Sequence, residues 1–152
     1  KKECCMELRK KTDSIIIHCA ATKPSMDIGY NEIKKWHVDQ NGWDDVGYHF
    51  IIRRNGQLEK ARPEGYSGAH APSHNSRSIG ICLVGGMAED GSSENNFTLE
   101  QFLTLKDLIN MIMDKYSDII QILGHCDVQD NKPNCPGFNV KEWLNKESIN
   151  VA

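Results

Sequence analysis

Two apolar runs constrain this chain more than any other feature: "SIIIHC" at Ser14–Cys19 and "SIGICLVGG" at 78–86. Each is short and rich in β-branched residues, the pattern of a buried strand. Side-chain alternation puts Ile16 and His18 on one face of the first run, and Ile15, Ile17 and Cys19 on the other. Cys19 is therefore expected to point into the core. A third strand, "DIIQILG", ends at Gly124. "GYHFIIRRNGQLEKAR" reads as a hairpin, with β-formers on both sides of a two-residue turn at Asn55 and Gly56. Tyr48, Phe50 and Ile52 then share one face.

Helical signals lie between these strands. "YNEIKKWHVDQNG" spaces Tyr30, Ile33 and Trp36/His37 along one side, with Gly42 as a stop. Thr98 and Gln101 form a capping box, and Leu99, Phe102, Leu103, Leu105, Leu108, Ile109, Ile112, Met113 and Tyr116 give the helix that follows a broad core face. Asn139 and Glu142 cap a last short helix, "VKEWLNK". "ARPEGYSGAHAPSHNSRS" has the composition of a long surface loop. Repeats and linkers are absent from the sequence. The expectation is an α/β fold: a single domain with a central mixed β-sheet flanked by about three α-helices.

At 152 residues, 39% hydrophobic and 26% charged, the chain suits one ordinary globular domain. No apolar run approaches the ~20 residues of a membrane span, and Lys1–Lys11 has no apolar signal-peptide region. Five Lys/Arg and two Glu give residues 1–11 a local charge of +3, leaving −6 on the rest of a chain of net −3. An acidic body argues against nucleic-acid binding, which needs a basic face. The division expected is a basic arm, 1–13, read as a solvated tail, and a domain, 14–152. Six cysteines are too sparse for a disulfide-stapled fold. Cys82 reads as a core residue, while the pairing of Cys4 and Cys5 stays open.

Chemistry concentrates in "GHCDVQDNKPNCPGF", 124–138. His125 follows the last strand and His18 sits at the end of the first, and functional groups of open α/β folds gather at such strand ends. Cys135 lies in a loop stiffened by Pro133 and Pro136. Together, His18, His125 and Cys135 would give a catalytic zinc ion three ligands with the fourth position open. The spacing alone leaves other readings standing. Cys135 or Cys126 could be a nucleophile with His125 as base, or the two cysteines could form a disulfide. Adjacent residues of an extended segment point to opposite faces, which weighs against Cys126.

Five ordered blocks carry a resemblance: "IIIHCAATKPS", "EIKKWHVDQNGWDDVGYHFIIRRNGQLEKAR", "GAHAPSHNSRSIGICLVGG", "NNFTLEQ" and "HCDVQDNKPNCPGF". From about Ser14 to Trp143 the chain resembles the zinc N-acetylmuramoyl-L-alanine amidases, a family with phage lysozymes whose fold animal peptidoglycan recognition proteins share. The resemblance implies one catalytic Zn²⁺ on His18, His125 and Cys135, and a catalytic tyrosine at Tyr48. It implies hydrolysis of the amide joining the lactyl group of N-acetylmuramic acid to L-alanine in peptidoglycan. It places His70 and His74 in the loop of the substrate groove, with His70 the better substrate-binding candidate. His37 reads as structural.

One departure stands out. Phage lysozymes of the family carry a catalytic lysine two residues before the cysteine. Here Pro133 holds that place and Lys132 stands three before, in a segment two residues longer. The resemblance also implies a monomeric endolysin made in the host cytoplasm, reaching the wall with help from a membrane-permeabilising protein. A phage lysozyme of this family also inhibits its phage's RNA polymerase, so a polymerase partner is a further implication. The competing function is a non-catalytic peptidoglycan-binding module, but relatives that only bind usually lack the cysteine ligand.

Overall fold

A computed structural model describes residues 6–151. Cys4 and Cys5 lie outside the described residues. The strands are β1 (Ser14–Cys19), β2 (Phe50–Ile52), β3 (Leu58–Lys60), β4 (Ser78–Leu83) and β5 (Gln121–Gly124). They form one sheet in the order β3-β2-β4-β1-β5. β1 runs parallel to β4 and β5, β2 runs parallel to β4, and only the β2–β3 pair is antiparallel. The two apolar runs, β1 and β4, are thus inner strands, and every residue of β4 is buried. Three helices accompany the sheet: α1 (Tyr30–Lys34), α2 (Leu99–Lys115) and α3 (Val140–Lys146). The mixed α/β sheet with three helices is the architecture expected from the sequence.

Parallel register builds the site. Ile17 pairs with Gly124, so the next residues along the two strands, His18 and His125, emerge side by side at one sheet edge. β4 ends at that edge too, with Cys82 opposite His18.

α2 is held to this edge by its cap. Thr98 Oγ1 accepts from the Gln101 amide at 3.1 Å, and Gln101 Oε1 accepts from the Thr98 amide at 3.0 Å. The buried Gln101 Nε2 then donates to the carbonyls of Ile52 and Val84, at 3.1 and 2.8 Å. These carbonyls lie at the end of β2 and just past the end of β4, and each takes Gln101 as a second donor beside the Val84 amide and the Arg54 guanidinium respectively. Leu105, Leu108, Ile109 and Ile112 of α2 pack on Ile15, Ile17, Phe50, Ile52, Ile79 and Ile81. Leu99 and Leu103 do not join them: both are more than half exposed, one turn apart on the helix's outer side.

Three further expectations change. The hairpin turns through three residues, not two. Gly56 donates to the Arg53 carbonyl at 2.8 Å, and Arg53 donates to that of Gln57 at 2.9 Å. Gly56, at φ +89°, makes the left-handed step that such a loop needs, so Asn55 needs no positive φ. The first helix continues past α1 as π-helical turns over Lys35–Gln40 before stopping at Gly42, φ +71°. Finally, the basic arm is not all solvated tail. The Arg9 amide donates to Gly65 O at 2.8 Å, and its guanidinium donates to the carbonyls of Glu64 and Tyr66. Lys10 and Lys11 are exposed.

Candidate metal centre

His18, His125 and Cys135 bring one ligand atom each to within 4.8 Å of one another. β1 carries His18, which is buried. The turn after β5 carries His125. Cys135 is delivered by the proline-bounded loop, tied back where Cys126 N donates to Cys135 O at 2.8 Å. The Cys19 amide donates to the Cys135 sulfur at 3.3 Å. So the three residues matched to a ligand set in the sequence do converge.

The histidine rings are oriented by outer partners. His18 Nε2 faces His70 Nδ1 at 2.8 Å, and His125 Nε2 contacts Gln129 Oε1. An amide oxygen only accepts, so His125 carries its proton on Nε2 and presents a lone pair at Nδ1. That Nδ1 lies 3.0 Å from His18 Nδ1. Burial lowers both histidines below their ordinary pKa, His18 strongly, with His70 and His125 adding to its shift. Neutral rings with nitrogens converging beside a sulfur form a donor set of the N/N/S type suited to zinc. Outer partners that fix a ligand ring in this way are usual at metal sites.

Cys19 corrects an expectation. Alternation sent it into the core, but β1 ends there and its thiol lies against Cys135. That contact, followed by burial, pushes the Cys135 thiol up, while the same contact lowers Cys19. Cys126 keeps away from the ligand set, its sulfur turned to Asp127 Oδ1. Cys82 is buried in the core as expected.

A cleft of about 570 Å³ opens over the histidines, lined among others by Trp43, Tyr48, His125 and Lys132. Tyr48 does not share the face of Phe50 and Ile52. The chain enters β2 only at Phe50, and Tyr48 instead packs with Ile51 in the second apolar cluster. Its ring sits 5.0 Å from that of His18. Burial, then the thiols of Cys82, Cys135 and Cys19, hold its phenol well above the usual range, so it stays a proton donor at neutral pH. Lys132 reaches the cleft despite its one-residue shift, and its charge contributes to lowering His125.

His70 lines the cleft, as its loop implied, but its ring nitrogens are turned inward. It is buried, and both ring nitrogens are engaged, Nδ1 by His18 and Nε2 by Ser78 Oγ at 3.2 Å. It orients a ligand ring rather than offering a free donor to substrate. The ring lies flat against β4 where a Cβ at Gly80 would come within 2.7 Å of it, so that position admits only glycine. His37 is structural as expected, its Nδ1 accepting from the Gly47 amide at 3.0 Å. His74 stays on the loop, its Nδ1 3.4 Å from Pro72 O.

Besides Gln129, two participants could not be read from the sequence. His49 is buried, its Nδ1 accepting from Gly80 N at 3.0 Å and its Nε2 donating to Tyr66 O at 2.7 Å. Ser78 sits under His70. Only the short motif "SIGIC" hinted at Ser78, and there as the start of a strand.

Comparison with known proteins agrees with this geometry. The endolysin of Escherichia phage T7 is 43% identical over 141 residues, covering 93% of this chain and 91% of that one. The N-acetylmuramoyl-L-alanine amidase LysC from Clostridium intestinale superposes with a TM-score of 0.79 at 29% identity, covering 95% and 91% of the two chains. Drosophila PGRP-LB superposes with a TM-score of 0.75 at 25% identity, covering 99% and 89%. The family model described as N-acetylmuramoyl-L-alanine amidase matches residues 8–138, from the anchored arm to the end of the cysteine loop, and by that match the chain belongs to this amidase family.

Proposed function

We propose that this protein is a phage-type endolysin that hydrolyses the amide between N-acetylmuramic acid and L-alanine in peptidoglycan, using one zinc ion. His18 and His125, through Nδ1, and Cys135, through Sγ, would hold it. The observation that carries this reading is the pair of neutral rings whose Nδ1 atoms meet at 3.0 Å beside a cysteine sulfur. Two Nδ1 atoms so placed either share a proton or, where both present lone pairs, repel each other until a cation among them relieves it. The chemistry such an ion would supply there is Lewis-acid polarisation of the amide carbonyl and a water whose pKa is lowered toward ~7.

The remaining chemistry falls to the chain. Tyr48, protonated and partly open to the cleft, donates to the oxygen that gains negative charge as the carbonyl is attacked. Lys132 lines the same cleft and adds positive charge on that side. Gln129 and His70 hold the ligand rings still.

The hydrolytic unit is residues 14–152, with 1–13 as an arm beside it. The protein acts as a monomer, is made in the host cytoplasm and meets the wall at lysis once the membrane has been permeabilised. Among the described residues no helix is long and apolar enough to cross a membrane. Incubating the zinc-loaded protein with purified peptidoglycan tests the reading. New L-alanine amino termini should appear with the wild type and not with Cys135→Ala. Equal release by both would overturn the ligand assignment, and binding without release by either would favour a non-catalytic module.

A further inference from the structure

A neutral imidazole carries one proton, and which nitrogen holds it decides whether the ring can ligate. For His125 the choice is made by Gln129. For His18 the outer partner is His70, itself a ring with two possible proton positions, so the choice is passed one step outward.

There it meets Ser78. The Ser78 hydroxyl donates to the carbonyl of His74 at 2.6 Å. That proton is committed, because two acceptor oxygens at such a distance without a proton between them would repel. The oxygen of Ser78 can then only accept from His70 Nε2, 3.2 Å away. With its proton on Nε2, His70 presents a lone pair at Nδ1. It faces His18 Nε2 at 2.8 Å, so the His18 proton sits on Nε2 and its Nδ1 is left free. In the opposite arrangement, His18 Nδ1–H would donate to His125 Nδ1, which takes that nitrogen away from a metal, and a His70 lone pair would face a Ser78 lone pair.

We propose that Ser78 is a positioning residue: through His70 it fixes the tautomer of His18 that can bind a metal. The inference rests on the ligand reading of His18, His125 and Cys135 given above. Ser78 touches neither metal nor substrate. It is fully buried at the start of β4, and its backbone is held by sheet register opposite Ser14, so its hydroxyl has little freedom to turn. Buried polar chains of this kind cost heavily when one member is left unpaired, which is the bias Ser78 supplies against the opposite order.

The test is made first on metal-free protein with ¹⁵N-labelled histidine, at mildly alkaline pH, reading the ring nitrogens by NMR. In the wild type, His18 and His70 should each show a protonated Nε2 and an unprotonated Nδ1. Ser78→Ala should turn both into tautomer mixtures. His49, fixed separately by the Gly80 amide and Tyr66 carbonyl, should not change. Zinc affinity, measured by chelator competition, should fall about tenfold, the low end for loss of an outer partner. Ser78→Thr, which keeps the hydroxyl, should restore tautomer and affinity together. A wild-type His18 protonated on Nδ1 would overturn the proposal. So would Ser78→Ala with unchanged ring signals, or with zinc affinity within twofold of the wild type. If the wild type bound no zinc, the ligand set itself would fall, an outcome separate from the metal-free tautomer signals.

Discussion

The two faces of β1 solve different problems. On one, Ile15 and Ile17 meet α2 and the other strands in a dry cluster. On the other, His18 lies among His70, His125 and Tyr48. The first face stabilises by removing apolar surface from water and tolerates small changes of shape. The second buries polar rings that must satisfy one another atom by atom. The difference teaches where fold and function separate within a single strand: loss on the first face should cost stability, and loss on the second should cost metal and catalysis.

The sharpest break is Cys135→Ala. Amidase activity should fall at least on the order of a thousandfold, the scale on which loss of even one transition-state donor is felt. Denaturant unfolding of the metal-free variant should stay within about 1 kcal/mol of the wild type. The opposite pattern is expected of Ile109→Ala, under the first face. It should lose about 2–5 kcal/mol of stability by denaturant titration while zinc affinity is kept.

Acid should strike the histidine face. His49 is depressed by burial to about 4. Between the ordinary value near 6.5 and 4, the unfolded chain takes up a proton that the folded chain refuses, so stability falls as pH falls through that window. This one group accounts for about 3 kcal/mol, and His37, also near 4, acts in the same direction. Unfolding curves at neutral pH and near pH 4.5 check the sign. Greater stability in acid would show that the histidines are not held neutral.

Smaller effects refine the cleft. Tyr48→Phe removes only the phenol proton and should lower kcat about 10–100-fold with KM little changed. Lys132→Ala should lower kcat/KM about tenfold or less, since its charge is solvated at the cleft edge. A Lys132 effect larger than that of Tyr48 would mean the shifted lysine does the work assigned to the tyrosine.

Much of this arrangement was legible in the sequence. The two unbroken apolar runs announced inner strands, and Thr98 with Gln101 announced the cap of α2. His18 and His125 could be paired because parallel strands end at a common edge. Other features were hidden for physical reasons. Cys19 broke alternation because β1 stops there, freeing its side chain to meet Cys135. Tyr48 left the Phe50 face because the strand begins two residues after it. His70 does line the cleft, but composition shows a loop and not that its ring is buried against Gly80. Gln129 and Ser78 have meaning only through partners that the fold supplies.

On the proposed function, everything rests on His18, His125 and Cys135 holding one zinc ion. X-ray absorption at the zinc edge on protein loaded with one equivalent tests it most directly. One sulfur at ~2.3 Å and two imidazole nitrogens at ~2.0–2.1 Å are expected, with the sulfur lost in Cys135→Ala. A zinc environment without sulfur in the wild type, or one unchanged by that substitution, would contradict it.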